Sequence, residues 1–187
     1  MKILIVTNYY YPELGAASSR MKLMAENLQN LGCDIEILCP LPNYPFGRIF
    51  KNYRNRIFKY ELINKIKINR LFILPSNSSN IFWRLLSMLS FAISLWSFAF
   101  RVKSIKQKDI IIIQNSPLFV SFSANLLFGF LYKKTTVLNV SDLWPLSAFE
   151  MGIIKKGTKY NFLKKIEKYN FTISKAFMGQ SIEILNY

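Results

Sequence analysis

No histidine occurs anywhere in this chain of 187 residues, and there are only two cysteines. The first absence excludes any histidine-based acid–base mechanism. With cysteine so sparse, no ligand cluster remains of the kind that holds zinc. Cys33 and Cys39 stand six residues apart on one predicted strand, a separation of roughly 20 Å at strand rise, so they cannot bridge each other. Glycine is also scarce, at seven residues, and no triple-glycine turn follows the first strand. Where a dinucleotide oxidoreductase carries a ribose-binding acid after its second strand, this chain has Cys39-Pro40-Leu41-Pro42. That class therefore ranks last. No basic region followed by an apolar segment precedes the first strand, so cytoplasmic synthesis is expected.

Acid is the other shortage. Ten Asp and Glu face 25 Lys and Arg, a formal charge of +15. Arg48, Lys51, Arg54, Arg56, Lys59, Lys65, Lys67 and Arg70 crowd one segment, and Lys155, Lys156, Lys159, Lys164, Lys165 and Lys168 another. Basic runs beside very apolar segments favour an anionic membrane surface. Nucleic acid ranks lower as a partner, because the aromatics fall in predicted strands and helices and no binding module is recognisable. A merely solvated surface in a Lys/Asn/Ile-rich protein is the plain alternative.

What is present is an alternation of strands and helices, with 51% hydrophobic residues. Lys2 to Thr7 reads as a strand covered on both faces. Asn8 to Ala17 forms the next loop, and Ser18 is the expected N-cap of a helix with Met21, Met24, Leu28 and Leu31 on one face, closed by Gly32. A strand, a small-residue loop and a helix N-terminus in this order suit an approaching phosphate; a plain turn fits as well. Asp34 to Leu38 predicts the second strand. Phe58–Ile63 and Lys67–Leu74 predict a hairpin around Asn64 and Lys65.

Residues 81–100 are the most apolar stretch and reach the length of a membrane span. Ser87, Ser90, Ser94, Ser97, Arg101 and Ser104 draw one narrow polar stripe on this helix. A nearly all-apolar circumference implies a second apolar neighbour besides a sheet. A span would split the sheet, so the favoured reading is a helix lying at the bilayer interface. Trp83, Arg84, Trp96, Arg101 and Lys103 are its expected lipid contacts, and a buried core helix is the alternative.

Asp109–Gln114 predicts a buried parallel strand, Ser116 an N-cap and Pro117 the first residue of a helix to Tyr132. Thr135–Val140 is the next strand. Thr158 is the expected cap of a helix with Phe162, Leu163, Ile166, Tyr169 and Ile173 on one face. Ala176–Gly179 is a last strand, and Ser181 caps a helix expected over residues 182–187. The fold class is thus α/β, a doubly wound Rossmann-like parallel sheet with helices on both faces. Three loops should meet beyond the strand ends: Asn8–Gly15, Asn115–Pro117 and Ser141–Trp144.

Tyr10-Tyr11-Pro12-Glu13-Leu14-Gly15, Pro42-Asn43-Tyr44-Pro45, Ser116-Pro117-Leu118-Phe119 and above all Val140-Ser141-Asp142-Leu143-Trp144-Pro145-Leu146-Ser147-Ala148 resemble the N-terminal domain of family 4 glycosyltransferases. The nearest subgroup is the bacterial enzymes of capsule and O-antigen assembly, similar to fucosamine transferases. The resemblance covers essentially residues 1–187 and implies one half of a GT-B enzyme, the half that receives the acceptor. It further implies a retaining transfer without a metal or other cofactor, from a nucleotide sugar, UDP-linked in expectation, to a lipid-linked saccharide at the inner face of the cell membrane. The donor-binding C-terminal domain is then absent from this chain, and the isolated half is expected to be inactive.

By position, Gly15 matches the glycine that approaches the donor diphosphate. Ser141 stands where many members have a histidine near the reaction centre. Asp142 is the candidate catalytic residue, orienting or polarising an acceptor hydroxyl, and helix capping is its equal alternative. Tyr10, Asn115, Ser116, Ser141 and Trp144 are the candidate acceptor-binding residues; capping for Ser116, packing for Trp144 and covering the sheet edge for Tyr10 remain open. A non-catalytic membrane-associated or protein-interaction module that keeps the fold is the second reading of the whole.

Overall fold

The computed structural model describes residues 1–185, with the side chains of all but residues 103, 104, 183 and 185. Seven strands form one sheet: β1 (Lys2–Val6), β2 (Asp34–Pro40), β3 (Phe58–Ile63), β4 (Ile66–Leu71), β5 (Ile110–Gln114), β6 (Thr135–Val140) and β7 (Ala176–Gly179). Their order is β3-β4-β2-β1-β5-β6-β7. Six strands run parallel, and only the edge strand β3 is antiparallel, to β4. The sheet is therefore mixed, a refinement of the parallel sheet expected.

Five helices matter here: α1 (Ala16–Asn30), α2 (Ile81–Arg101), α3 (Leu118–Asn125), α4 (Leu146–Glu150) and α5 (Thr158–Ile173). Right-handed crossovers put connections running opposite ways along the sheet on opposite faces. Accordingly α1 covers one face, where Met21 and Ala25 meet Ile3, Ile5, Ile35 and Ile37. On the other face α2, α3 and α5, with the segment Leu126–Leu131 that follows α3, bring Phe91, Leu95, Val120, Phe128 and Phe171 onto Leu4, Val6, Ile111, Ile113 and Leu138. Consecutive isoleucines in β5 bury both faces, as a central parallel strand requires.

The local signals mostly fall in the right place. Gly32, at φ 85°, ends α1 in a Schellman turn: its N–H donates to Gln29 O (2.8 Å) and that of Cys33 to Leu28 O (3.1 Å). Ser181 Oγ accepts from the Ile184 amide (3.4 Å) as a cap would, while the last two residues of the helix expected there, 186 and 187, lie outside the described residues. Asn64 and Lys65, at φ 49° and 66°, make the two-residue hairpin turn between β3 and β4, the type I′ geometry that matches strand twist. Lysine is a poor residue there, because its Cβ crowds the carbonyl in the left-handed region. Lys65→Gly is expected to raise stability by about 0.5 kcal/mol, the relief of that crowding less the extra chain entropy of glycine, read as a higher urea midpoint.

Several caps and faces differ from expectation. The first residue of α1 is Ala16, with Gly15 as N-cap, and Ser18 instead donates to Glu13 O (2.8 Å) from inside the first turn. Pro117, not Ser116, precedes α3, and Gly157, not Thr158, precedes α5. Leu31 lies exposed where α1 ends, as do Phe162 and Tyr169 on α5. The buried line of α5 runs through Leu163, Ile166, Glu167 and Asn170, a spacing of three and four that leaves positions 162 and 169 to one side. Beyond α3 the chain continues as a π-helix over Leu126–Leu131 where one unbroken helix was expected. Here α5 packs so closely that a Cβ on Gly129 would lie 2.7 Å from Ile173 Cγ2 and 2.8 Å from Asn125 Oδ1.

Candidate functional site

Strand order reverses between β1 and β5. The connections on either side of β1 lead away in opposite directions, so a crevice opens beyond the strand ends at that point. Thr7 Oγ1 donates to Gln114 Oε1 across it (2.6 Å), and the Asn8 amide donates to the same oxygen (3.2 Å). The Asn115 amide donates to Asn139 O (2.9 Å), carrying the rim on to β6. Gly15, Asn115 and Asp142 all follow C-terminal ends of the adjacent strands β1, β5 and β6, so the three loops share one rim.

On the β1 side the rim is built around Glu13, a buried carboxylate. Its Oε1 accepts from the amides of Asn43 (2.7 Å) and Tyr44 (2.9 Å), and Oε2 from that of Tyr10 (3.3 Å). Glu13 thereby joins the loop after β1 to the loop after β2. Burial pushes its pKa up, against the pull of those three amides. Tyr9 and Tyr44 meet edge to face, 5.3 Å between centroids, and a Cβ on Gly15 would touch the Tyr44 ring at 3.4 Å. Gly15 itself is exposed, at φ 147°, a conformation that suits glycine. No side chain caps the first turn of α1. Its leading N–H groups and the positive end of a 15-residue helix are therefore left without a side-chain partner beside the exposed Gly15 and Ala16.

Beneath this loop Arg70, fully buried, donates to Tyr11 O (2.6 Å) and reaches Cys39 Sγ (3.6 Å). Its Nε pairs with Glu61, which also takes Lys59 Nζ (2.9 Å) and the Tyr53 hydroxyl (3.1 Å). Sequence reading assigned no role to Glu13, Gln114 or Arg70. The available signal was a lone acid inside an aromatic loop, the only one before Glu26, and a single amide closing a run of four isoleucines.

On the β6 side Ser141 and Asp142 are half-buried at the rim. Asp142 makes no side-chain hydrogen bond or ion pair among the described residues, and α4 starts beyond Pro145 without a side-chain cap, so capping is not its role. Ser116 is half-buried and caps nothing. Three acceptor candidates belong to the framework instead. Tyr10 is 4% exposed and packs in the α1-side core. Asn115 is buried, its Oδ1 accepting from Asn170 Nδ2 (2.9 Å) in a network with Ser121 and Asn125 that ties β5 to α3 and α5. Trp144 packs against the Leu118, Leu163 and Ile166 cluster. A buried polar group needs partners more than it needs a ligand, which is why the amide closing a strand turned inward.

Of the expected lipid contacts, Trp83, Arg84 and Arg101 are exposed. Trp96 is turned toward α3 and donates from Nε1 to Ser123 Oγ (2.9 Å), so it is a helix–helix contact. The side chains of Lys103 and Ser104 lie outside the described residues. The serine stripe is not a uniform solvent face: Ser90 is buried and accepts from the Leu74 amide (2.8 Å), while Ser97 is exposed. Among the described residues no group of three or more His, Cys, Asp or Glu is placed to hold a metal ion.

No protein-family model matches the chain, and no curated protein matches it in sequence. Solved structures do match in fold. A sucrose-phosphate synthase from Thermosynechococcus elongatus superposes at a TM-score of 0.61 with 8% identity, over 100% of this chain and 44% of that one. A protein described as a UDP-N-acetylglucosamine 2-epimerase from Listeria monocytogenes does so at 0.55 with 9% identity, over 100% and 40%. The chain thus spans less than half the length of either. Its fold is that of one Rossmann-like half of a GT-B protein.

Proposed function

We propose that this chain is the acceptor-binding half of a retaining family 4 glycosyltransferase. It would serve transfer from a nucleotide sugar, UDP-linked, to a lipid-linked saccharide in bacterial surface polysaccharide synthesis, the second half supplying most of the donor site. The observation that carries the reading is the rim itself. An uncapped helix N-terminus beside Gly15 and, at Asp142, a carboxylate with no partner among the described residues stand at the ends of strands β1 and β6, one strand apart. The likeness in fold to GT-B proteins supports the same reading.

In this scheme the first-turn N–H groups of α1 face the leaving diphosphate, where their dipoles stabilise growing negative charge. Glu13 and Arg70 touch neither substrate and are positioning residues for that loop. Asp142 accepts a hydrogen bond from the attacking hydroxyl and aims its oxygen. Its half-burial matters, because a charged acceptor in a partly dry site binds more strongly than one in open water.

Amide NMR of this chain with a short polyprenyl-diphosphate-linked monosaccharide tests the proposal. Shifts are expected at residues 8–9, 15–17 and 141–144, and Asp142→Asn should weaken binding by about tenfold, the worth of one charge-assisted hydrogen bond. Absence of shifts at the rim, or an Asp142→Asn affinity equal to the parent's, would overturn the assignment.

A further inference from the structure

The helix α2 leaves one line of its surface largely uncovered among the described residues, with Phe100 meeting the Tyr132 ring at its end, 6.5 Å between centroids. At 100° per residue Phe82, Leu89, Ile93 and Phe100 fall within about 20° of one line, opposite Phe91 and Leu95, and the row runs for about 27 Å. The four are 62%, 54%, 66% and 66% exposed. Ile81 and Trp83 widen it at the first turn, both exposed. Single exposed apolar residues are ordinary, but a row of this size marks a surface that binds something.

The rest of the helix is occupied. Phe91, Leu95 and Ala99 fill the core, Trp96 and Ala99 O bond to Ser123 and Tyr132 on one flank, and Ser90 takes the Leu74 amide on the other. Only 22% of the most apolar part of α2 is buried. Spanning a bilayer is not available to it in this fold. Strands β4 and β5, which it connects, lie in one sheet with β2 and β1 between them.

Charge selects the occupant. Between Glu61 and Asp109 the sequence contains no acidic residue, and exposed Arg101 flanks the row at its C-terminal end. A second copy would bring the same cations together on two bodies of charge +15, which Coulomb repulsion opposes. A bilayer carrying anionic headgroups satisfies both halves of the pattern.

The geometry points to α2 as an in-plane docking helix for an anionic phospholipid surface, its apolar row at the acyl boundary and Arg101 among the phosphates. This goes beyond the sugar-transfer reading and does not need it. Flotation with saccharide-free vesicles of phosphatidylglycerol and phosphatidylcholine tests it, so either reading can fail without the other. The chain should float with these vesicles at low salt and less at high salt. The double variant Leu89→Ser/Ile93→Ser, both at exposed positions and checked for unchanged circular dichroism, should partition about tenfold less or worse. Arg101→Glu should weaken flotation with unchanged apolar contacts. Failure to float at low salt, or flotation of the double variant equal to the parent's, overturns the proposal. Equal flotation with phosphatidylcholine alone overturns its anionic part. A dimer in sedimentation that the double variant dissolves, without flotation, would assign the row to a second copy instead.

Discussion

Arg70→Met is expected to destabilise the fold by about 3–5 kcal/mol, the cost of stripping one partner from a buried ion pair. Against a typical total of 5–15 kcal/mol this is a large share. The guanidinium has no exposed surface and serves four groups at once: the Glu61 carboxylate, Tyr11 O, Cys39 Sγ and the Tyr53 ring, whose centroid lies 5.1 Å away. Methionine keeps the volume but leaves the Tyr11 carbonyl without its donor and Glu61 with only Lys59 and Tyr53. The double variant Arg70→Met/Glu61→Leu should recover much of the loss, since apolar replacement of both partners removes the unpaired charge. A urea midpoint for the single variant equal to the parent's would contradict the role given to Arg70.

The same pair sets an acid sensitivity. Burial alone would push the Glu61 pKa up, but the Arg70 and Lys59 hydrogen bonds outweigh it and hold it below the ordinary glutamate value of 4.5. A depressed carboxylate contributes its stability in full above that ordinary value, and the contribution drains away as pH falls through the lower folded one. Melting temperature should therefore drop with acidification below about pH 4.5, and Glu61→Gln should flatten that part of the curve.

Glu13→Ala is the second large effect, and the one that bears on the rim. Three backbone amides, of Tyr10, Asn43 and Tyr44, would lose their acceptor. Each unmet buried donor costs about 1–3 kcal/mol, so a total near 3 kcal/mol or more is expected, reduced where water enters. The loss is local in its first consequence. With the latch gone, the loops after β1 and β2 should part, and the amides of residues 43 and 44 should exchange with solvent faster, ahead of global unfolding. Glu13→Gln keeps the Oε1 acceptor and should retain most of the protection at 43 and 44. Equal exchange in Glu13→Ala and the parent would show that the loops are held by something else. Because burial raises the Glu13 pKa, the sign of its pH effect is opposite to that of Glu61: its contribution favours the fold below the ordinary glutamate value and fades as pH rises through the folded one.

Periodicity, turn chemistry and apolar runs are local properties, and they were sufficient for the α/β class, all seven strands, the hairpin at Asn64 and Lys65, and the glycine that ends α1. They also placed Gly15, Asn115 and Asp142 at strand ends. Whether such a residue faces a ligand or a neighbour depends on what the rest of the chain brings near it. Tertiary packing alone turned Asn115 into α3 and α5, set Trp144 on Leu163 and Ile166, drew Trp96 to Ser123, and gave Glu13 three amides from two loops far apart in sequence. It also divided the apolar circumference of α2 into a core face and an open row, a division that composition cannot carry because both faces are written in the same residues. Desolvation is the physical reason: a polar atom removed from water must be paired, and its partners come from wherever the fold supplies them.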